Sequence, residues 1–250
     1  KELWERDLAF FWPNVQVLPF PITERVEFTT VARSLEGQGA QMRALSMLAW
    51  NQPVVVLATV EEVTQYVVSP QYVVSQSVHL EVSQSIERDD LLEKLVTIGY
   101  ERVDQVEQRG HFSVRGDIFD IFPVNSDDPI RMEFFGDEID TMRHFSVDTQ
   151  RSIENVDAYT VTPFYLTSDD ADSTLLSYAK EGLIIYDEPG RIQEALKKYL
   201  KEDATHRKQH CDWSELQRTV EAKIQVAFTF MQQRSIGLPG FNPIGIQGKT

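Results

Sequence analysis

The chain has 250 residues, of which 42% are hydrophobic and 25% charged, and carries a formal net charge of −15. That length suits one large domain or two to three small ones with ample core, and the composition is that of an ordinary globular protein. So acidic a chain is a poor candidate for a general nucleic-acid surface, which neutralises phosphates with Lys and Arg; a protein partner fits it better.

The first region, 1–76, alternates helical and strand patterns. Leu3, Leu8, Phe10 and Phe11 predict a helix end, and VQVLPF (15–20) a short buried strand. The opening KELWERDL starts inside a helical pattern, so an upstream strand is expected to be missing. Met42, Leu45, Leu48 and Ala49 recur at helical intervals. PVVVLATV (53–60) is a continuous β-branched run of the kind found in central parallel strands. Thr59, with Glu62 three residues on, reads as the capping box of another helix. This is α/β punctuation.

The second region, 77–163, predicts a sheet with one helix. Leu91, Leu92, Leu95 and Ile98 form one stripe of an amphipathic helix over 89–98. Phe112 and Val114 alternate with Ser113 and Arg115, and Ile130, Met132 and Phe134 alternate with Arg131, Glu133 and Phe135. A period of two marks strands that bury one face. Turn residues cluster at 123–129 (PVNSDDP) and at Gly136-Asp137. Gly116 shifts the phase of the alternation, which predicts a bulge or sharp bend. Arg115, Arg131 and Phe135 fall opposite the apolar set, so the sheet is expected to display two guanidiniums and an aromatic ring. Each arginine has the alternative reading of a surface charge paired with a nearby carboxylate.

The third region, 164–250, opens on a polar linker (TPFYLTSDDADST). LIIYDE (183–188) predicts a second buried strand, followed by a helix from Gly190 to about Leu200, then FTFMQQRSIG and a Gly- and Pro-rich end. LIIYDE resembles the Walker B pattern of helicases, with Asp187 and Glu188 at the positions that hold Mg²⁺ and orient water. That chemistry requires a phosphate-cradling GxxxxGK[ST] loop, and the pattern is not met in this sequence. Asp187 and Glu188 therefore read as a relic or as an ordinary strand end. His206, His210 and Cys211 lack a fourth ligand at metal-site spacing. Glu133, Asp137, Glu138 and Asp140 read as turn-solubilising charges that offset Arg131 and Arg143. We expect no catalytic residue, metal or cofactor.

No apolar run approaches the ~20 residues that span a bilayer, and no secretory signal is visible. The single cysteine, Cys211, rules out an internal disulfide framework and fits a reducing, cytoplasmic setting.

RGHFSVRGDIFDIFP, IRMEFFGDEID and SVDTQRSIENV, preceded by LLEKLVTIGYERVDQV, resemble the second domain of a UvrB-like family. That family comprises the excision-repair helicase UvrB and the transcription-repair coupling factors of the Mfd type. The resemblance implies docking of the damage-sensing ATPase UvrA, with Arg115, Arg131 and Phe135 at matching contact positions and Arg102 matching a further arginine of UvrB. Ser113 stands where UvrB has arginine, so one contact of that set is expected to be absent. UvrB also inserts an aromatic-rich, DNA-locking hairpin before this sheet. Here the interval YVVSPQYVVSQSVHLEVSQSIERDD has only Tyr66 and Tyr72, which favours the N-terminal module of a coupling factor.

The fold expected is α/β: a degenerate, helicase-like Rossmann layer split between 1–76 and 164–250, with the antiparallel β-sheet-plus-helix domain (77–163) inserted. The expected role is monomeric, non-enzymatic recruitment of UvrA, with RNA polymerase and DNA engaged only through domains beyond this chain. The alternative is a UvrB-like ATP-dependent DNA helicase.

Overall fold

The computed structural model describes residues 1–22, 31–165, 171–179, 182–202, 208–220 and 224–228. The chain divides into two compact units: Lys1–Ala58 with Val68–Ala171, and Thr59–Val67 with Asp172–Thr250. α-Helices and both parallel and antiparallel strand pairs are present, as the α/β pattern predicts.

In the first unit, α1 (Glu2–Phe11) leads into β1 (Gln16–Pro19), and α2 (Val31–Ala49) into β2 (Val54–Leu57). The β-branched run at 54–57 pairs in parallel with β1, Gln16 opposite Val54. Later in the chain comes a short helix, α4 (Pro70–Gln76), capped by the Ser69 hydroxyl accepting from Tyr72 N at 3.2 Å. β3 (Val78–Glu81) follows and pairs antiparallel with β10 (Ala158–Val161). No hairpin occupies the interval between residue 66 and β3, in keeping with a sequence there whose only aromatics are Tyr66 and Tyr72.

The main sheet has six strands in sequence order: β4 (Glu101–Arg102), β5 (His111–Arg115), β6 (Ile118–Ile121), β7 (Ile130–Phe135), β8 (Glu138–Phe145) and β9 (Ser152–Asn155). β4 joins β5 in parallel, and every other pair is antiparallel. Along β7 burial alternates as the sequence predicts, with Ile130, Met132 and Phe134 inside. α5 (Arg88–Thr97) lays Leu91 and Leu95 on that face, and together with Ile98, Phe112 and Phe119 they make one core. Two nearly parallel rings, Phe112 and Phe119, sit 5.9 Å apart at its centre.

The phase shift at Gly116 is a two-residue hairpin turn rather than a bulge. Arg115 opposes Ile118, and Gly116 takes φ +63°. Gly136 repeats the device with φ +66° between Phe135 and Glu138. Positive φ at the first central residue suits a II′ turn, whose twist matches the strands it joins. The bulges lie elsewhere, in the β7–β8 register at Glu133/Phe134 and the β8–β9 register at His144/Phe145.

The expected polar linker begins in packed structure. Thr162 is buried, and the Phe164 ring approaches so closely that a Cβ added at Gly39 would lie 2.9 Å from it, and one at Gly110 2.7 Å. Tyr100, fully enclosed, donates its hydroxyl to Thr162 O at 2.8 Å and accepts from Val124 N at 3.2 Å. Its pKa is driven far above the ordinary phenol value by burial. The same hydroxyl thus ties the PVNSDDP loop to the end of β10.

In the second unit, α3 (Val60–Thr64) starts with the predicted capping box, Thr59 N donating to the Glu62 carboxylate at 2.6 Å. The unit also holds α6 (Leu175–Tyr178), β11 (Leu183–Asp187), α7 (Pro189–Glu202), α8 (Trp213–Val220) and β12 (Ile224–Phe228). β11 pairs in parallel with β12. The expectation of a buried strand holds for one side only: Tyr186 is buried, but Leu183 is 55% and Ile185 53% exposed. Leu176, Cys211, Leu216 and Val220 form a core cluster against which only Ile184 of β11 packs. Most of FTFMQQRSIG and the Gly- and Pro-rich end lie outside the described residues.

Candidate docking surface on the outer sheet face

The outer face follows from the same alternation that builds the core. Cross-strand register sets Ser113 opposite Asp120, Asp120 opposite Arg131, and Arg131 opposite Arg143. The next row runs Arg115, Ile118, Glu133 and Thr141. Directly opposed residues share a face and lie close enough for side chains to meet.

Asp120 sits at the middle of this arrangement with its side chain 2% exposed. Arg131 donates from Nε to Oδ1 at 2.7 Å and from Nη2 to Oδ2 at 2.8 Å, a fork-to-fork pair. Arg115 donates from Nη2 to the same Oδ2 at 2.9 Å. Arg131 also donates to the Gln150 side chain at 3.1 Å, and its guanidinium carbon lies 4.3 Å from the centre of the Phe145 ring. Its hydrogen bonds to Asp120 raise its pKa further and outweigh the opposing effect of burial. Beside them Arg143 pairs with Glu133, and that pairing holds the Glu133 carboxyl below its usual range.

The expectation of two displayed guanidiniums therefore holds for one of them. The Arg115 side chain is 48% exposed, whereas that of Arg131 is 13% exposed and is held in the sheet by Asp120. Phe135 is 83% exposed at the end of β7. It shares one end of the sheet with Arg115: Phe134 N donates to Asp117 O at 2.9 Å, joining the two hairpin turns. Arg88 clamps both turns, donating to Gly116 O and Gly136 O at 3.0 Å and to Asp117 at 3.0 Å. Arg102 is exposed on edge strand β4, in register with inward-facing Phe112, so it lies off the outer face that carries Arg115, Arg131 and Phe135. Ser113 is buried opposite Asp120.

Sequence reasoning passed over Asp120 and Arg88. Asp120 carried a signal: a lone carboxylate inside IFDIF, a strand otherwise apolar. A buried charge in such a strand calls for a cationic partner. For Arg88, a helix residue contacting two remote turns, no local signal existed.

The remaining candidates are not assembled. Asp187 is exposed and ends β11, and Glu188 takes φ +57° just before α7. Gly248-Lys249-Thr250 carries the last three letters of the phosphate-loop pattern, but Pro243 stands at its first glycine, and the segment lies outside the described residues. Among the described residues no cluster of His, Cys, Asp and Glu could hold a metal; His206 is outside them. A cleft of about 330 Å³ lined by Trp50, His79, Asn125 and Tyr159 contains neither Asp187 nor Glu188. No described helix is long and apolar enough to cross a membrane.

Residues 78–165, which contain the six-stranded sheet, α5 and the β3–β10 ribbon, match the family described as UvrB interaction domain. The chain is 32% identical over 157 residues to the transcription-repair-coupling factor of Bacillus subtilis, covering 63% of this chain and 13% of that protein. It is 34% identical over 170 residues to the protein of the same name from Staphylococcus aureus RF122, covering 66% and 14%. With the S. aureus USA300 protein the identity is 32% over 184 residues, covering 72% and 15%. The chain thus spans about a seventh of the length of these relatives.

Proposed function

We propose that this chain, which carries a UvrB interaction domain at residues 78–165, recruits UvrA by protein–protein docking in transcription-coupled nucleotide excision repair. The observation that carries the proposal is Phe135, an aromatic ring 83% exposed at the same end of the sheet as half-exposed Arg115. Its neighbours Ile130, Met132 and Phe134 on the same strand are buried. Burying such a ring on a partner is strongly favourable, and aromatic and arginine side chains are the types enriched at binding hot spots. Arg131 underlies the surface through Asp120, whereas Arg102, in register with inward-facing Phe112, lies off it.

On this reading the chain works without catalysis, cofactor or metal, as a monomer in the cytoplasm. RNA polymerase and DNA are met by other parts of a longer protein. The parallel pairs β1–β2 and β11–β12 are read as pieces of a degenerate helicase-like layer, split around the inserted sheet domain, with Asp187-Glu188 the remnant of its Walker B strand.

Isothermal titration with purified UvrA tests the docking. Arg115→Ala and Phe135→Ala are each expected to weaken binding at least about tenfold, since truncating a buried charged partner or an aromatic hot spot costs ~2 kcal/mol or more. Lys198→Ala, in the other unit, is expected to leave it unchanged. Full affinity in the Arg115→Ala/Phe135→Ala double variant would rule the surface out.

A further inference from the structure

The outer face carries a charge imbalance confined to three side chains. The Asp120 carboxylate accepts from Arg131 Nε and Nη2 and from Arg115 Nη2, with both Nη2 nitrogens on the same oxygen, Oδ2. Two guanidiniums against one carboxylate leave one positive charge uncompensated. Two neighbouring carboxylates are ion-paired with other arginines, Glu133 with Arg143 and Asp117 with Arg88, and Glu133 acts on Arg131 only through space. The two arginines differ in what they have left. Arg131 is turned inward, committed to Asp120 and Gln150 and covering Phe145. Arg115 gives a single N–H to Asp120, and the rest of its fork has no partner among the described residues. The uncompensated charge therefore resides on Arg115, at the end of the sheet that also holds Phe135.

We propose that Asp120 is a positioning residue for docking, and that the surface it sets up receives a carboxylate of the partner next to an apolar pocket for Phe135. This rests on the docking reading given above. A carboxylate shared by two guanidiniums holds like charges side by side that would otherwise separate. It also fixes the Arg115 side chain before the partner arrives, so less rotamer freedom is lost on binding. The free part of the fork matches the planar, bidentate geometry of a carboxylate, which an ammonium cannot reproduce. Local pre-organisation of this kind lets a chain of net charge −15 present one directed cation to an acidic group.

A double-mutant cycle tests the assignment, with UvrA titrated into the wild-type chain, Asp120→Asn, Arg115→Ala and the double variant, each checked by thermal melting. Asp120→Asn and Arg115→Ala are each expected to weaken binding about tenfold. The double variant is expected to be within about twofold of Arg115→Ala, because both changes remove the same oriented fork. A carboxylate that merely supports the sheet would give losses that multiply, and that outcome overturns the positioning role. Should Asp120→Asn fail to melt cooperatively, Arg115→Lys decides: it keeps the charge, loses the fork, and is expected to bind about tenfold more weakly. Wild-type affinity with lysine overturns the proposal. If UvrA does not bind the wild-type chain, the docking reading falls and takes this proposal with it. If it binds wild type and a folded Asp120→Asn alike, the positioning role alone falls.

Discussion

Three residues of the outer sheet face look equivalent in the sequence and are not equivalent in the fold. From the alternation alone, Arg115, Arg131 and Phe135 all point outward and should be replaceable without harm to stability. Arg131, however, is the main counter-charge of a carboxylate that is 2% exposed. Removing one member of a buried pair strands the other, at a cost of ~3–5 kcal/mol. We predict that Arg131→Ala destabilises the first unit by about 3 kcal/mol, the lower end, because Arg115 still reaches Asp120. Phe135→Ala should stay within about 0.5 kcal/mol of wild type. Chemical denaturation of both variants checks this, and equal midpoints would contradict it. Cys211, in the other unit, is buried, and its thiol pKa is pushed up to about 12, by burial first and by Glu215 and Asp212 next. An unfolded thiol titrates near ~8.5, so the folded state holds its proton more tightly. That contribution is complete below about pH 8.5 and is lost as the pH climbs through the folded value. Cys211→Ala should therefore flatten the alkaline part of the stability profile, and native Cys211 should resist a thiol reagent at pH 8 until the chain is unfolded. Rapid labelling of the native chain would show the thiol is accessible.

Among the elements, the paired Gly-Asp turns decide where the docking residues end up. Gly116 and Gly136 hold φ near +65° at the tips of adjacent hairpins, with nothing near enough to obstruct an added Cβ. Substitution there meets backbone strain rather than a steric wall. Gly116→Ala and Gly136→Ala are each expected to cost about 1 kcal/mol or more, since Ala at positive φ destabilises by more than the entropy it saves. Melting curves measure this; unchanged stability would mean the turns adopt another conformation. Arg88 links the two turns through three acceptors at 3.0 Å. Arg88→Ala should loosen Phe135 and Arg115 together, seen as faster amide exchange in both turns. Faster exchange in one turn only would show that Arg88 does not couple them.

For the whole molecule, two absences of pattern lead to firm expectations. The phosphate-loop pattern is incomplete throughout the 250 residues, so a phosphate-release assay should find no ATP hydrolysis above background, with or without DNA. Turnover that vanished in Glu188→Gln would overturn this. A net charge of −15 makes phosphate neutralisation unfavourable. Binding to duplex or single-stranded DNA should be undetectable at low micromolar protein in physiological salt. A gel shift there with a steep salt dependence would contradict it.

By itself the sequence determined the strands at 112–115 and 130–135, the helix over 89–98, the turns at 123–129 and Gly136-Asp137, and the direction in which Arg115 and Phe135 point. Each of these rests on local periodicity: side chains alternate along a strand and recur every third or fourth residue along a helix. The words on those strands also carry the resemblance to a UvrB-like family. Three things only the tertiary structure decided. Asp120 meets Arg131 through cross-strand register and Arg115 around a turn. Phe164 wedges against Gly39, more than a hundred residues upstream. β11 finds β12 about forty residues further along the chain and keeps half of its apolar residues exposed. Partners distant along the chain leave no periodic trace, because their meeting depends on the register of every element between them. A run of apolar letters states what a strand can bury, and the neighbours it acquires on folding decide how much of it is buried.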